Sequence, residues 1–206
     1  LVSRIRELAG VTDADTWQAS CQEALTRQVT RETYHARLKH TEDRRQALEA
    51  LKRDLYQAFR VSDPSERRAI LGSVLPRLFT CHDIRTRQAT AAPPVDDAAV
   101  LIEFDEGFFL VELRWSDRPL DFKQLAPHLV TLYGCPDLRG LLISSSGFTD
   151  HAVRDLSSIQ PQRMVLCQLQ EIVLLLEQGH DLKKLLRAKL RAAETEQKAL
   201  ASNPKS

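Results

Sequence analysis

Apolar residues follow a helical period in the first part of the chain. No Gly or Pro interrupts the stretch from Asp13 to Phe59, in which charged and polar residues dominate. Apolar positions recur at helical spacing near its end, at Leu48, Leu51, Leu55 and Phe59. This spacing predicts one long helix or two, with an apolar stripe too thin to form a globular core alone. We therefore expect the region to pack on a partner helix, in the same chain or in another, as in a coiled coil.

A second helix is predicted after residue 63. Asp63 suits the N-cap, Pro64 suits the first turn, and Glu66 stands three residues beyond the cap. Its apolar face comprises Ile70, Leu71, Val74, Leu75 and Leu78. The next segment, residues 85–97, contains Pro93-Pro94 and small residues. It is predicted to be a junction between the halves or an irregular entry to the next strand.

The pattern changes to β-rich segments after Asp97. Residues 99–104 and 108–115 flank a short turn at Asp105–Gly107, which predicts an antiparallel hairpin. Helices and strands then alternate: a helix over about 121–133, a strand from 140, a short helix from 150, a strand at 164–167 and helix to about 196. The predicted fold class is α/β: a helical, possibly coiled-coil N-terminal half followed by a mixed central sheet flanked by helices.

Composition narrows the class of protein without naming a partner. The 206 residues include 29 Lys and Arg against 28 Asp and Glu, so the formal net charge is +1 and a basic surface requires local clustering. The hydrophobic content of 43% allows a sizeable core. The four cysteines and six histidines form no metal-binding spacing, which favours reduced core thiols. No apolar run reaches roughly 20 residues and no signal peptide is evident, so we expect a soluble cytoplasmic protein without a membrane partner.

The strand FFLVELRW carries two charged residues inside an apolar segment. Glu112 and Arg114 fall on the same strand face as Leu110, where charges are costly to bury without partners. A second acid near the preceding strand would bring two carboxylates to one sheet edge. Such a pair attracts a hard cation such as Mg²⁺, with the carbonyl of Leu113 as a third ligand. The arrangement suits phosphodiester hydrolysis.

This strand belongs to a longer pattern. LVELRW, residues 110–115, is followed by a predicted helix and then by RGLLISSSGF, residues 139–148. The segments resemble the "LVE-x-KW" and "RG-hF-IS-x-SGF" elements of Mrr-type restriction endonuclease-like domains, which belong to the PD-(D/E)xK nuclease superfamily. The resemblance covers about residues 75–193. It implies a restriction-endonuclease-like sheet, a DNA substrate and a Mg²⁺ or Mn²⁺ cofactor.

The chain departs from the family pattern at two positions. Arg114 stands where the family has lysine, and arginine can hold a phosphate but cannot act as a general base. The family's first aspartate falls near Ala99, where no acid stands. Asp97 matches it if two residues are inserted in the hairpin, and Asp96 is the alternative. The poorer alternatives are Glu103 and Asp105.

Three further groups of residues carry expectations, the first of them from the resemblance. Gln124 corresponds either to the glutamine that some Mrr relatives place near the site or to an ordinary exposed helix residue. Ser144, Ser145 and Ser146 are predicted to form a tight exit from the strand, with Gly147 in an unusual backbone conformation. The last helix presents a basic rim that could meet phosphates or merely be solvated, formed by Lys183, Lys184, Arg187, Lys189 and Arg191.

The first functional hypothesis is a divalent-metal-dependent DNA endonuclease domain of a bacterial restriction or defence system. In it Asp97, Glu112 and Arg114 are catalytic, and Asp97 and Glu112 bind the metal. The alternative is a catalytically degenerate module of the same fold that binds nucleic acid or protein, and a third is a helical adaptor. The predicted regions are 1–60 (long helix or coiled coil), 61–97 (helix and linker), 98–197 (nuclease-like domain) and 198–206 (tail). The N-terminal helices are expected to mediate homo-oligomerisation or assembly with a larger partner.

Overall fold

The computed structural model describes residues 39, 41–87, 98–195 and 199–200, in two compact units, Leu1–Gln46 and Ala47–Ser206. In the first unit, residues 41–46 are helical. The Arg45 guanidinium and the Gln46 amide both donate to the Glu42 carboxylate, at 2.8 Å and 3.0 Å, and these bonds lower the pKa of Glu42 to about 2. The predicted coiled coil falls mostly outside the described residues and stays a prediction.

The second unit is built on a five-stranded mixed sheet in the order β1-β2-β3-β4-β5. The strands are β1 (Arg85–Arg87), β2 (Ala98–Phe104), β3 (Gly107–Arg114), β4 (Leu138–Ser144) and β5 (Met164–Gln168). β1, β2 and β3 pair antiparallel, whereas β3, β4 and β5 pair parallel. The predicted mixed sheet is therefore confirmed.

Strand β1 lies where the sequence predicted an irregular junction. Its three residues are polar and alternate exposed, half-buried and exposed. They pair with Leu101, Ile102 and Glu103 of β2 at the edge of the sheet. So short a strand is held by backbone pairing to its neighbour and carries no apolar alternation from which it could have been predicted.

The predicted hairpin is confirmed, and its turn has a specific geometry. Phe104 pairs with Gly107, so Asp105 and Glu106 alone form the turn between β2 and β3. Both have positive φ angles, 44° and 63°. Two-residue hairpin turns with both residues in the left-handed region match the twist of the flanking strands. The turn therefore fixes which residue of β2 faces each residue of β3.

Among the residues that the structure describes, six helices flank the sheet. Residues 41–60 are helical, and the part in the second unit is α1 (47–60). The others are α2 (Pro64–Thr80), α3 (Phe122–Gly134), α4 (Asp150–Ser158), α5 (Leu169–Gln178) and α6 (Leu182–Thr195). The predicted cap at Asp63 is confirmed, since its side chain accepts from Glu66 N at 3.2 Å. Two further caps are Thr149, which accepts from Ala152 N at 3.1 Å, and Asp181, which accepts from Lys183 N at 3.0 Å. None of the helices in the described part of the chain has the length and apolar composition needed to cross a membrane.

The helices form two hydrophobic clusters, one on each face of the sheet. Val111 and Leu113 of β3 belong to the cluster that contains α1, α2, α5 and α6. Leu110 of β3 and Leu142 of β4 belong to the other, with α3 and α4. Because side chains alternate along a strand, Glu112 shares the face of Leu110 and lies under α3. The fold thus places a carboxylate between the sheet and a helix.

Candidate functional site

The candidate site lies at the C-terminal end of β3. Glu112 pairs with Ala99 on one side and with Leu142 on the other, so it sits on a central strand of the sheet. Arg114 is two residues later, on the same face, and ends the strand. The predicted sharing of one face by Glu112 and Arg114 is therefore confirmed. The site combines a buried position with one that opens at the strand end.

Glu112 is almost completely enclosed, with its side chain 1% exposed. Nδ1 of His128, on α3, lies 2.6 Å from its Oε1. This distance is that of an ion pair or a short hydrogen bond, although the ring is not oriented for a well-aligned bond. The Glu112 Oε2 atom has no hydrogen-bond partner, and Arg114 Nη2 is 3.6 Å away from it. One oxygen of the carboxylate is thus engaged and the other is left without a hydrogen bond.

Arg114 is fixed by α3 as well as by its own strand. Its Nη1 donates to the backbone carbonyl of Gln124 at 2.5 Å, and its side chain is 16% exposed. The Gln124 side chain accepts from Asp121 N at 3.0 Å and completes the capping box of α3. Gln124 therefore reaches the site through its backbone, while its side chain caps the helix. The guanidinium is held between Glu112 and the first turn of α3.

The three serines after β4 stabilise the end of the strands. Ser145 N donates to the carbonyl of Arg114 at 3.0 Å, and Ser145 Oγ donates to the carbonyl of Ser116 at 3.0 Å. Ser144 Oγ donates to the carbonyl of Gly147 at 2.9 Å, and Gly147 has a φ of 80°. These bonds account for the tight exit predicted from the sequence. They also hold the residues after Arg114 against β4, which limits how far the site can open.

The second acid of the predicted site is outside the part of the chain that the structure describes. Asp97 and Asp96 both fall within residues 88–97, and β2 is described from Ala98. The two poorer alternatives lie at the other end of the hairpin. Glu103 pairs with Phe108, and Asp105 is in the turn, where it binds Arg187. Asp97 remains the predicted partner of Glu112, with Asp96 as the alternative.

The described residues meet the requirements of a divalent cation only in part. They contain no group of three or more His, Cys, Asp or Glu side chains that could hold a metal ion. They do provide a buried carboxylate oxygen, Glu112 Oε2, without a hydrogen-bond partner. An unsatisfied anionic oxygen is costly in the protein interior and suits a hard cation. Glu112 therefore fits the role of one ligand, and the acid that completes the pair is Asp97 by prediction.

His128 is the site residue that sequence reasoning missed. The helical period of residues 121–133 puts it on the same apolar face as Leu125, Leu129 and Leu132, without indicating a role. The structure confirms that placement, since His128 is 1% exposed, and adds its contact with Glu112. A histidine inside an otherwise apolar helix face, and a glutamate inside an apolar strand, were each visible in the sequence. Their pairing required knowing that α3 packs on the same sheet face as Glu112.

The basic rim predicted on the last helix is wrong for Lys189. That side chain is 2% exposed and lies 2.8 Å from Glu171 Oε2, so it is a buried partner of α5. Arg187 is exposed, but both Nε and Nη2 bind the Asp105 carboxylate, at 2.7 Å and 2.8 Å. This hydrogen bonding is the main cause that lowers the pKa of Asp105 and raises that of Arg187. Both cations neutralise acids of the same chain, which weakens the prediction of a phosphate-binding helix.

An open cavity of about 880 Å³ lies away from the candidate site. It is at the hairpin-turn end of β3, between Phe108, Arg139 and Arg187. Its acids and bases are largely paired with each other, as in the 2.8 Å contact between Arg139 and Glu194. The charged residues of interest, Glu112 and Arg114, are at the opposite end of the strand. Size alone therefore does not identify the functional site in this protein.

Comparisons with known proteins give few relatives. No protein family model matches the chain, and no curated protein matches it. A solved structure described as "MspJI Restriction Endonuclease in Complex with 27-mer Oligonucleotide" is similar, at 15% sequence identity and a TM-score of 0.39. The match covers 76% of this chain but 38% of that chain. We therefore base the functional proposal on the site residues.

Proposed function

We propose that this chain is a divalent-metal-dependent DNA endonuclease domain that hydrolyses phosphodiester bonds. The observation that supports this most directly is the pairing, at one strand end, of a buried carboxylate oxygen without a hydrogen bond and a guanidinium 3.6 Å from it. A carboxylate beside a fixed cation is what the ExK-like element of the resembling nucleases requires. The DNA substrate and a setting in a bacterial restriction or defence system come from the same resemblance.

In this proposal Asp97 and Glu112 hold Mg²⁺ or Mn²⁺. The ion would polarise the scissile phosphate, lower the pKa of a bound water and stabilise the leaving oxygen. Glu112 contributes Oε2, while Oε1 remains against His128. Burial of the carboxylate strengthens its attraction for a cation, because the surrounding dielectric is low. The chain's task is to hold these oxygens in place before the substrate arrives.

Arg114 acts on the phosphate. Its guanidinium stays protonated and presents several donors in a planar fork that suits phosphate oxygens. The bond from Nη1 to the Gln124 carbonyl fixes the orientation of that fork. Arg114 therefore steadies negative charge as the phosphodiester reacts, and the attacking water must lose its proton to another acceptor. A lysine at this position would lack the planar fork.

A plasmid-nicking assay tests the proposal. With Mg²⁺ or Mn²⁺ the parent is expected to nick supercoiled DNA, and chelator should stop it. Glu112→Gln keeps the shape of the side chain but removes the charge, so nicking should fall by at least about 100-fold, given the several kcal/mol that such a metal supplies. Glu103→Gln is the matched control, because Glu103 is a partly exposed acid at the far end of the hairpin. Equal nicking by parent and Glu112→Gln would contradict the proposal.

A second candidate function is a catalytically degenerate module of the same fold that binds nucleic acid or protein. The observation that favours it is the enclosure of Glu112, 1% exposed and flanked by two basic side chains, His128 and Arg114. Such a cluster can neutralise a carboxylate without any metal. In that case the parent binds DNA in a gel-shift assay in the presence of chelator but shows no metal-dependent nicking. The Glu112→Gln variant then binds DNA as the parent does.

A further inference from the structure

His128 is a polar residue in the middle of an apolar helix face. It is 1% exposed, between residues of α3 that pack on the sheet, such as Leu125 and Leu132. An imidazole buried here loses its hydration, so it needs a compensating partner. Its Nδ1 lies 2.6 Å from Glu112 Oε1, in close contact although without an aligned hydrogen bond, and its Nε2 also has no hydrogen-bond partner. Glu112 is therefore the charged side chain that the ring contacts.

The sheet is shaped to admit this ring. Gly140 of β4 faces α3, and a Cβ atom added there would lie 2.7 Å from His128 Nε2 and 2.4 Å from Leu132 Cδ1. Both distances are too short for any side chain, so the absence of one at position 140 lets α3 approach the sheet closely. The ring is thus enclosed between Gly140 and Glu112. A side chain at position 140 would displace the ring or the Leu132 side chain.

We propose that His128 is a positioning residue for the Glu112 carboxylate. By holding Oε1 through Nδ1, it fixes the rotamer of Glu112 and leaves Oε2 towards Arg114, where the cation of the proposed function would bind. This inference rests on that proposed function. Groups that orient a metal-binding side chain typically change metal affinity by about 10- to 100-fold when they are removed. A leucine at position 128 would complete the apolar face of α3, but it could not orient the carboxylate.

Two substitutions separate orientation from packing. His128→Leu fills the apolar face and removes the donor, whereas His128→Asn places an amide donor close to the position of Nδ1. We expect His128→Leu to weaken Mn²⁺ binding about 10- to 100-fold, and His128→Asn to stay within about threefold of the parent. Binding is measured on the full chain, without DNA, by titrating Mn²⁺ and following the free ion by electron paramagnetic resonance. Urea unfolding in chelator establishes that each variant is folded.

The outcomes distinguish this inference from the function on which it rests. Parent-like Mn²⁺ binding by folded His128→Leu overturns the positioning role, and so does equal loss in the leucine and asparagine variants. If Glu112→Gln binds Mn²⁺ as tightly as the parent, the metal site itself is wrong. If His128→Leu does not fold, His128→Gln replaces it, because its amide reaches the position of Nε2 and leaves Oε1 without a donor. That variant should lose Mn²⁺ affinity as leucine does, and parent-like affinity would again overturn the inference.

Discussion

Glu112 and Glu171 are both withdrawn from solvent, with side chains 1% and 14% exposed, but they are paired differently. Both oxygens of Glu171 lie close to Nζ of Lys189, at 2.8 Å and 2.9 Å. Oε1 also accepts from Gln168 N at 2.9 Å, and Lys189 donates further to the carbonyl of Leu166 at 3.3 Å. Neither Glu171 Oε2 nor Glu112 Oε2 has an aligned hydrogen bond, but Arg114 Nη2 lies 3.6 Å from Glu112 Oε2, farther than Lys189 Nζ from Glu171 Oε2. Both oxygens of Glu171 therefore contact a cation directly, whereas the Arg114 guanidinium stands farther from Glu112 Oε2.

The difference separates two uses of a buried charge. The Glu171 and Lys189 pair joins the start of α5 to α6, and Lys189 is additionally bonded to β5, so its bonds connect three elements of the fold. A buried pair of this kind is costly to break, because removing one partner leaves the other charged and unpaired. Because the Arg114 guanidinium lies 3.6 Å from Glu112 Oε2, we expect Glu112 to contribute less to the stability of the fold than Glu171 does. Perturbing the two clusters should therefore give effects of different size and kind.

The largest effect is expected from Lys189→Met. This change keeps a long apolar side chain but leaves Glu171 without its cation, so the free energy of unfolding should fall by about 3–5 kcal/mol. The measurement is a urea unfolding curve at neutral pH, with the midpoint compared between parent and variant.

The matched control is the double variant Lys189→Met with Glu171→Leu, which removes both charges. It should recover most of the lost stability, since replacing a whole buried pair by apolar residues is often neutral. A single variant that loses less than about 1 kcal/mol would mean that the pair is solvated in solution, in which case it does not differ from an ordinary surface pair.

A smaller effect is expected from Gly140→Ala, which perturbs the packing around Glu112 and His128. The added methyl group would collide with Leu132 and His128, so overpacking should destabilise the fold by about 1–3 kcal/mol. Gly72→Ala is the control: a Cβ at Gly72, in α2, meets nothing within 4 Å, and alanine should stabilise that helix by about 0.5–1 kcal/mol. Thermal unfolding of the two variants should shift in opposite directions. A parent-like melting temperature for Gly140→Ala would show that α3 can move away from the sheet freely.

The sequence contained most of the fold because its local signals agreed with one another. The turn at Asp105 and Glu106, the caps at Asp63, Thr149 and Asp181, and the alternating pattern of the strands each define an element. The exception, β1, is held by pairing with β2 and has no signal of its own. Elements that depend on a neighbour in space are less visible in the sequence than those with caps and periods.

Only part of the candidate site could be predicted from the sequence, for a related reason. Glu112 and Arg114 stand two residues apart in one strand, so their shared face followed from strand geometry alone. Their partners come from elsewhere: His128 from α3 and the space at Gly140 from β4. Similarly, Lys189 was predicted to lie on the exposed basic rim of the last helix. Its partner Glu171 is on a different helix, so their contact could not be predicted from the sequence. Contacts between side chains that are distant in sequence depend on how the helices pack on the sheet. No local sequence pattern encodes that packing.

The smallest effect is expected at the exposed pair of Asp105 and Arg187, which completes the comparison. Hydrogen bonds from the Arg187 guanidinium lower the pKa of Asp105 below its ordinary value of 3.8. The folded state therefore gains stability from the ionised carboxylate at pH values above that ordinary pKa, and it loses this contribution as the pH falls through the lowered one. Because the pair is exposed and screened by salt, Arg187→Gln should reduce the melting temperature at pH 6 by about 2 °C or less. The difference in melting temperature between Arg187→Gln and the parent should become smaller as the pH falls below the ordinary pKa of Asp105. At pH 6, 1 M salt should also make this difference smaller. The loss of stability caused by Lys189→Met should be similar at low salt and at 1 M salt, because the Lys189 and Glu171 pair is enclosed by protein. If salt changed the effects of Lys189→Met and Arg187→Gln to the same extent, the distinction between the enclosed and the exposed pair would be contradicted.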